Sequence, residues 1–158
     1  MALDKVKEYF RRFGREKDVL EFEKSSATVE LAAEALNVIP ARIAKTISLK
    51  REDSCILVVT AGDAKIDNAK FRAELGMKAK MLPHDKVAGL VGHDVGGVCP
   101  FAVNSGVRVY LDVSLERFDS VFPACGSGSS AIELNCTELY EYARAEAWVD
   151  VCKDWERI

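Results

Sequence analysis

The sequence has few of the residues that build metal centres, and its cysteines are not spaced for zinc binding. Its 158 residues include two histidines and five cysteines, and no Cys-x-x-Cys pair occurs. We therefore expect no metal site, and the odd number of cysteines is typical of free thiols in a reducing compartment. The cysteines are Cys55, Cys99, Cys125, Cys136 and Cys152.

Long hydrophobic runs are also absent. No stretch approaches the roughly 18 uninterrupted apolar residues of a membrane-spanning helix, and the basic N-terminal segment lacks the apolar centre of a secretion signal. These absences predict a cytoplasmic protein without membrane contacts. With 49% apolar residues, the chain can bury one core, so we expect a single domain over residues 1–158, with a helical N-terminal extension over residues 1–24.

Charge patterning limits the surface that could contact a nucleic acid. The formal net charge is −3, so any such contact is expected on one face only. An amphipathic helix is predicted over Leu3–Phe13, where the apolar residues repeat at helical spacing. Its basic face carries Arg11, Arg12 and Arg15, which either contact phosphates or are simply solvated.

Helical and strand patterns alternate along the rest of the chain without a regular βαβ repeat, which predicts a mixed α/β fold. Ser26 and Thr137 are predicted N-caps. Further helices are predicted over Ala27–Leu36, Asn68–Leu75, Pro83–Val91 and Glu138–Ala145. Strands are predicted over Val19–Phe22, Ile43–Leu49, Cys55–Ala61, Lys80–Leu82, Val107–Leu111, Phe118–Cys125, Ile132–Leu134 and Trp148–Val151. The strands Ile43–Leu49 and Cys55–Ala61 are expected to form a hairpin with a loop over Lys50–Ser54.

Two glycine loops stand out, Gly96-Gly97-Val98-Cys99-Pro100-Phe101 and Gly126-Ser127-Gly128. Glycine allows a backbone to approach another group closely, so such loops can line a ligand site with amide groups. The second loop also matches the dinucleotide fingerprint G-x-G-x-x-A. That motif needs a helix directly after it, and a strand pattern follows instead, so nucleotide binding is not expected and a hairpin turn is the alternative.

Lys45 and Cys99 each allow two interpretations. Strand alternation places Lys45 on the same face as Ile47 and Leu49, so its side chain either extends to solvent or presents a cation to a cleft. Cys99 is either a buried structural residue or a nucleophile activated by His93, six residues before it.

Several segments together carry a family resemblance. They are Lys45–Leu49, Gly62–Asp67, Gly92–Phe101, Asp112 and Gly126–Leu134, which occur in the order and spacing of the YbaK/ProX aminoacyl-tRNA deacylase family. That family includes the editing domain inserted in bacterial prolyl-tRNA synthetases, and the resemblance covers about residues 25–145. It implies a single α/β domain with a mixed, strongly curved, barrel-like sheet flanked by helices.

The resemblance also implies a reaction, the hydrolysis of the ester that joins a wrong amino acid to the 3′ end of a tRNA. Lys45 matches the family's site lysine, and both glycine loops match segments that line the aminoacyl-adenosine pocket. At position 99 the family usually has serine or threonine, so the cysteine leaves the amino-acid preference open. The candidate catalytic residues are Lys45, Gly126, Ser127 and Gly128, and the candidate substrate-binding residues are Ile47, His93, Gly96, Gly97, Val98, Cys99, Pro100, Phe101 and Asp112.

In this hypothesis, Gly126–Gly128 supplies backbone N–H groups to the oxyanion, and Lys45 binds the terminal phosphate or adenosine or orients the carbonyl. Either His84 or His93 activates the water, or a ribose hydroxyl of the substrate assists it. The expected substrate is a proline tRNA carrying alanine, cysteine or serine, the expected partner is a synthetase bound transiently, and no cofactor is implied. The alternatives are a noncatalytic tRNA- or synthetase-binding module and a domain that binds a small molecule.

Overall fold

A five-stranded mixed sheet forms the centre of the fold. The computed structural model describes residues 2–23 and 28–156. In spatial order the strands are β6 (Phe122–Pro123), β2 (Ile43–Arg51), β3 (Ser54–Ala61), β5 (Arg108–Asp112) and β8 (Ala147–Val149). The central β2–β3 pair is antiparallel and the other neighbours are parallel. The sheet curves strongly into a half barrel, which confirms the predicted fold class.

Two small ribbons complete the strand pairing. Strand β1 (Leu20–Glu21) pairs with β7 (Ser130–Ala131), and β4 (Lys65–Ile66) pairs with β9 (Cys152–Lys153), both antiparallel. The described residues also contain five α-helices, none of which is long and apolar enough to span a membrane. The helices are α1 (Ala2–Arg11), α2 (Val29–Leu36), α3 (Asn68–Leu75), α4 (His84–Val91) and α5 (Cys136–Ala143).

The N-caps of two helices differ from the sequence prediction. Helix α2 begins after Thr28, whose hydroxyl accepts the Leu31 N–H at 3.1 Å, and the predicted cap Ser26 lies outside the described residues. The prediction that Thr137 caps α5 is wrong, because Thr137 lies inside the helix. Asn135 is the cap, and with Glu138 it forms a capping box that satisfies two backbone N–H groups.

The predicted hairpin is confirmed, with longer strands and a shorter turn than expected. Only residues 52 and 53 separate β2 from β3. The register pairs Lys45 with Thr60 and Thr46 with Val59, so Thr46 lies on the β2 face opposite to that of Lys45. The two faces of β2 therefore carry different chemistry, with the cation on one and hydroxyl groups on the other.

Three predicted strands are wrong in position or extent. Of Phe118–Cys125 only Phe122–Pro123 is a strand, because only these two residues pair with β2, opposite Ile43 and Ala44. The strand expected at Ile132–Leu134 lies at Ser130–Ala131, and Leu134 makes only an isolated bridge to Val121. The segment Lys80–Leu82 likewise contributes a single bridge, between Met81 and Leu49.

Helix α1 packs directly into the main core. Val6 and Phe10 are fully buried, and the ring of Phe10 meets that of Phe101 edge-on at 4.8 Å between centroids. Trp148 and Trp155 also pack against this core. A smaller cluster joins α2 to the edge of the sheet through Ala33, Ile43, Phe122 and Ala131.

Candidate active site

A cavity of about 270 Å³ opens beside strand β2. Its walls come from β2, helix α2, the segment that leads into α4, the first turn of α4, the first glycine loop and the chain around β6 and β7. Two of the lining residues, Lys45 and His84, have basic side chains. The lining residues are Thr28, Val29, Ala32, Leu36, Ile43, Ala44, Lys45, Thr46, Ile47, Ser48, Met81, Leu82, His84, Val87, Val95, Gly96, Val98, Phe122, Ala124, Ser130 and Ala131.

Lys45 is a half-buried cation at this wall. Its Nζ donates a hydrogen bond to the backbone carbonyl of Ala64, and no ion pair to it is formed within residues 2–23 and 28–156. Burial lowers the pKa of Lys45 from its ordinary value, and nearby acidic groups, including Asp63, oppose the shift only in part. The amine is thus positioned by a neutral acceptor, and its charge is not neutralised by a carboxylate.

The opposite face of β2 brings hydroxyl groups to the cavity. Thr46 and Ser48 share this face with Val59 and Leu57 of β3, which belong to the apolar core. The Oγ1 of Thr46 is buried and finds no hydrogen-bond partner among the described residues. An unsatisfied buried hydroxyl costs about 1–3 kcal/mol, so this cavity wall holds one hydrogen-bonding group that the protein itself does not use.

The first glycine loop forms the cavity wall with its leading half. Gly96 and Val98 line the cavity, whereas Gly97 points away from it into the protein. A Cβ on Gly97 would lie 2.7 Å from the carbonyl oxygen of Gly126 and 2.9 Å from the Cα of Ser127. The two glycine loops are therefore in backbone contact with each other, and Gly97 is needed for that contact.

The trailing half of the same loop lies behind the wall. Cys99, Pro100 and Phe101 are buried and do not line the cavity, and neither does His93. The His93 ring donates from Nε2 to the Phe101 carbonyl at 2.7 Å, and burial lowers the pKa of this histidine. These four predicted substrate-binding residues support the loop from inside.

The Cys99–His93 pair exists, but it is not arranged for nucleophilic catalysis. Cys99 Sγ lies 3.5 Å from the Nε2 of His93, yet that nitrogen already donates its proton to Phe101 and cannot accept another. Burial raises the pKa of Cys99 to about 12. The thiol is therefore protonated near neutral pH and inaccessible, which fits the structural interpretation of Cys99.

The second glycine loop is not part of the cavity wall. Gly126, Ser127 and Gly128 do not line the cavity, whereas their neighbours Ala124 and Ser130 do. The Ser127 hydroxyl donates to Ser130 at 2.9 Å, which closes a turn. The backbone of Gly126 hydrogen-bonds towards the Cys99 sulfur, away from the cavity, and so favours the thiolate slightly.

Asp112 is also buried away from the cavity. Its carboxylate accepts the N–H of Ser114 at 3.0 Å and that of Val151 at 2.9 Å. It caps the 3₁₀ helix and fixes the chain that follows β8. This is the structural role of orienting a loop.

Sequence reasoning missed the contribution of α2 to the site. Val29, Ala32 and Leu36 line the cavity, and their spacing of three and four residues is the signal that could have identified an inward-facing helical stripe. It also missed Thr46 and Met81. His84, which was considered only as a base, does line the cavity and is exposed.

A family model described as an aminoacyl-tRNA editing domain matches residues 23–142, about three quarters of the chain. The chain belongs to this editing-domain family. The resemblance found in the sequence motifs is confirmed, and family membership implies aminoacyl-tRNA as the substrate class. The uncharacterized protein YwhH of Bacillus subtilis (strain 168) is 55% identical over 157 residues, which cover 99% of this chain and 100% of that protein.

More distant similarity connects this editing domain to much longer proteins. The proline–tRNA ligase of Halalkalibacterium halodurans is 27% identical over 104 residues, which cover 65% of this chain and 18% of the ligase. The proline–tRNA ligase of Bacillus pumilus is 24% identical over 90 residues, covering 56% of this chain and 16% of the ligase. The chain therefore matches only a small part of either ligase.

Solved structures share the fold over nearly the whole chain. A proposed trans-editing enzyme for prolyl-tRNA synthetase superposes with a TM-score of 0.86 at 24% identity, covering 96% of this chain and 97% of that one. The hypothetical protein APE2540 superposes with a TM-score of 0.82 at 27% identity, covering 94% and 99%. The half barrel and its flanking helices are thus a fold that these proteins have in common.

Proposed function

We propose that this protein is a freestanding trans-editing hydrolase that removes a small wrong amino acid from a mischarged proline tRNA. The observation that carries the proposal is Lys45, a half-buried cation at the wall of a 270 Å³ cavity, in a chain of the editing-domain family. The similarity to segments of two proline–tRNA ligases supports proline tRNA as the nucleic acid. Alanine, cysteine and serine are the candidate amino acids.

The reaction is the addition of water to the ester carbonyl, followed by cleavage of the bond to the ribose oxygen. Negative charge develops on the carbonyl oxygen, and a cation or an amide group aimed at it lowers the barrier. Lys45 supplies that charge or binds the neighbouring phosphate. Because Gly126–Gly128 does not line the cavity, we assign the oxyanion contact to the backbone amides of Gly96 and Val98, which do line it.

The proposed reaction needs no nucleophile from the protein, because water itself attacks the ester carbonyl. Cys99 is protonated and buried, so a covalent thioester route through it is not favoured. His84 is the histidine at the cavity, and a hydroxyl of the terminal ribose is the other candidate group to assist the water. Comparing substrates with and without the free ribose hydroxyl separates these two routes.

A small cavity suits editing for an energetic reason. A missing methylene group changes binding by only about 1–3 kcal/mol, so a synthetase rejects a smaller amino acid poorly. A second site that admits only the smaller side chain removes the error. The apolar wall made by Val29, Leu36 and Val98 limits the size of the side chain that fits here.

The test is a deacylation panel on proline tRNA charged with alanine, cysteine, serine or threonine, with proline-charged tRNA as the correct-product control. We expect hydrolysis of at least one mischarged tRNA and none of the proline-charged form. Lys45→Ala should lower that rate by about 100-fold, because one preorganised stabilising group is typically worth this much. Lys17→Ala, which removes an exposed lysine that does not line the cavity, is the matched control.

Binding of charged tRNA without release of any amino acid would refute the hydrolase and favour a noncatalytic module. Full activity of Lys45→Ala would show that Lys45 has no role in the reaction.

A further inference from the structure

The cations of this protein divide into two groups, those neutralised by ion pairs and those left unpaired. On and just after helix α1, Arg11 pairs with Glu8 and Glu16, and Arg15 pairs with Asp18 and Glu138. Two of the three arginines of this basic face are therefore neutralised, and it is a poorer phosphate-binding surface than a group of unpaired cations. Lys70, Arg42 and Arg117 are likewise paired with carboxylates.

Three exposed lysines beside the cavity belong to the unpaired group. Lys78, Lys80 and Lys86, which we call the lysine strip, form no ion pair with any residue in the described ranges. Asp85 is the one carboxylate within 78–86, so this segment keeps a net positive charge of +2 from three lysines and one aspartate. A surface with uncompensated cations is suited to attract phosphate groups.

The fold fixes the lysine strip to the cavity wall. The N–H of Lys50 on β2 donates to the carbonyl of Lys80 at 2.8 Å, and the N–H of Leu82 donates to the carbonyl of Ser48 at 3.0 Å. These bonds attach the strip to the strand that carries Lys45. Met81 lies between Lys80 and Leu82, the two residues that make these bonds, and it lines the cavity.

Exposed apolar side chains accompany these cations. Met81 is 64% exposed and Val95 is 52% exposed, and both line the cavity. Both side chains therefore present apolar surface to a ligand that enters the cavity. Unpaired RNA bases present apolar faces, and single-stranded RNA is typically bound by combining such contacts with basic groups.

We propose that the lysine strip binds backbone phosphates of the tRNA acceptor end, while Met81 and Val95 contact its unpaired bases and direct the terminal ester into the cavity. This inference rests on the proposed function. It assigns the RNA-binding face to residues 78–86, which run from the chain after α3 into α4, together with Val95, and not to the basic helix α1.

The test compares two substrates that differ in their phosphates. Alanine-charged proline tRNA carries the whole acceptor end, whereas the alanyl ester of adenosine carries no phosphate. The variant Lys78→Ala/Lys80→Ala/Lys86→Ala is compared with Lys17→Ala/Arg72→Ala/Arg108→Ala, which removes the same charge from exposed positions that do not line the cavity. The readouts are kcat/KM on both substrates and the dependence of KM for the tRNA on salt concentration.

For the tRNA substrate, the lysine-strip variant should lose about tenfold or more in kcat/KM, mainly through KM, with a change below about twofold on alanyl-adenosine. The slope of log KM against log salt concentration should fall by about 2 to 3, close to one unit for each lost phosphate contact. The control variant should change neither quantity. Equal behaviour of the two variants on tRNA, or an equal loss on both substrates, would overturn the proposal.

A separate measurement distinguishes failure of this inference from failure of the proposed function. If the wild-type protein hydrolyses neither substrate, binding of uncharged proline tRNA is measured by fluorescence anisotropy. Weaker binding by the lysine-strip variant than by the control then supports the RNA-binding face while the hydrolase is refuted. Equal binding by both variants, or no binding by the wild type, overturns the face as well.

Discussion

The backbone contact between the two glycine loops can be tested with a single methyl group. In Gly97→Ala the new Cβ would lie 2.7 Å from the carbonyl oxygen of Gly126 and 2.9 Å from the carbonyl carbon of that residue. Ordinary van der Waals contacts begin at 3.4 Å, and the distance to the Gly126 oxygen would be 2.7 Å. The loops must therefore separate by about 0.7 Å, the difference between 3.4 Å and 2.7 Å. The three atoms nearest to the new Cβ all belong to the backbone, so rotation of a side chain does not relieve these contacts.

The expected cost follows from overpacking. Inserting a methyl group into a packed site typically costs about 1–3 kcal/mol, and for a domain of this size each kcal/mol lowers Tm by about 2–4 °C. We expect a loss of about 2 kcal/mol in the free energy of unfolding and a fall in Tm of about 4–8 °C. Because Val98 follows directly and lines the cavity, deacylation should fall too, since small misplacements at a reacting centre are costly.

Gly89→Ala is the matched control. Gly89 lies inside α4, where a Cβ would meet no atom within 4 Å, so alanine should stabilise the helix by up to about 1 kcal/mol. Urea denaturation and thermal melts of both variants measure the two effects. The reasoning is refuted if Gly97→Ala is as stable as the wild type or shifts in the same direction as Gly89→Ala.

Three further predictions concern buried groups near the cavity. Thr46→Val should raise the free energy of unfolding by about 1 kcal/mol in urea titrations, because it removes the unsatisfied hydroxyl and keeps the shape of the side chain. A loss of stability would show that the hydroxyl has a partner. His93 has a lowered pKa, so the unfolded chain binds the proton more readily and wild-type stability falls as pH drops below about 6.5. The wild type should therefore lose more stability than His93→Gln between pH 7 and pH 5. Each tenfold difference in proton affinity between the unfolded and folded states is worth about 1.4 kcal/mol. Parallel pH profiles of stability for the two proteins would contradict this prediction. Cys99→Ser should keep the wild-type order of preference among charged tRNAs, because position 99 does not line the cavity, and an altered order in the deacylation panel would contradict that placement.

The central part of the fold could be predicted from local sequence patterns. The hairpin of β2 and β3 and helix α3 follow from strong alternation and helical periodicity, with clear turn signals at their ends. The chain after Asp112 could not be predicted in this way. There a buried carboxylate caps a 3₁₀ helix, and pairing with distant strands decides which two residues at Phe122–Pro123 become a strand.

The candidate site could be predicted only in part for a related reason. Strand alternation placed Lys45 and Thr46 on different faces of β2, but the same pattern could not show that both would line one cavity. The helical stripe of α2 was visible in the sequence as three apolar residues. Which surface this stripe faces depends on tertiary packing, and no local signal encodes it.

The glycine loops show why a motif for close approach does not by itself indicate a ligand. Gly126 has a φ of +92°, and a Cβ there would lie 2.8 Å from the carbonyl oxygen of Ala2 in α1. Gly97 in turn packs on Gly126, and Val98 beside it forms the cavity wall. Helix α1 therefore supports this wall through a continuous stack of backbone contacts. Two close approaches that suggested ligand binding are contacts within the protein, and they hold in place the loop that faces the cavity.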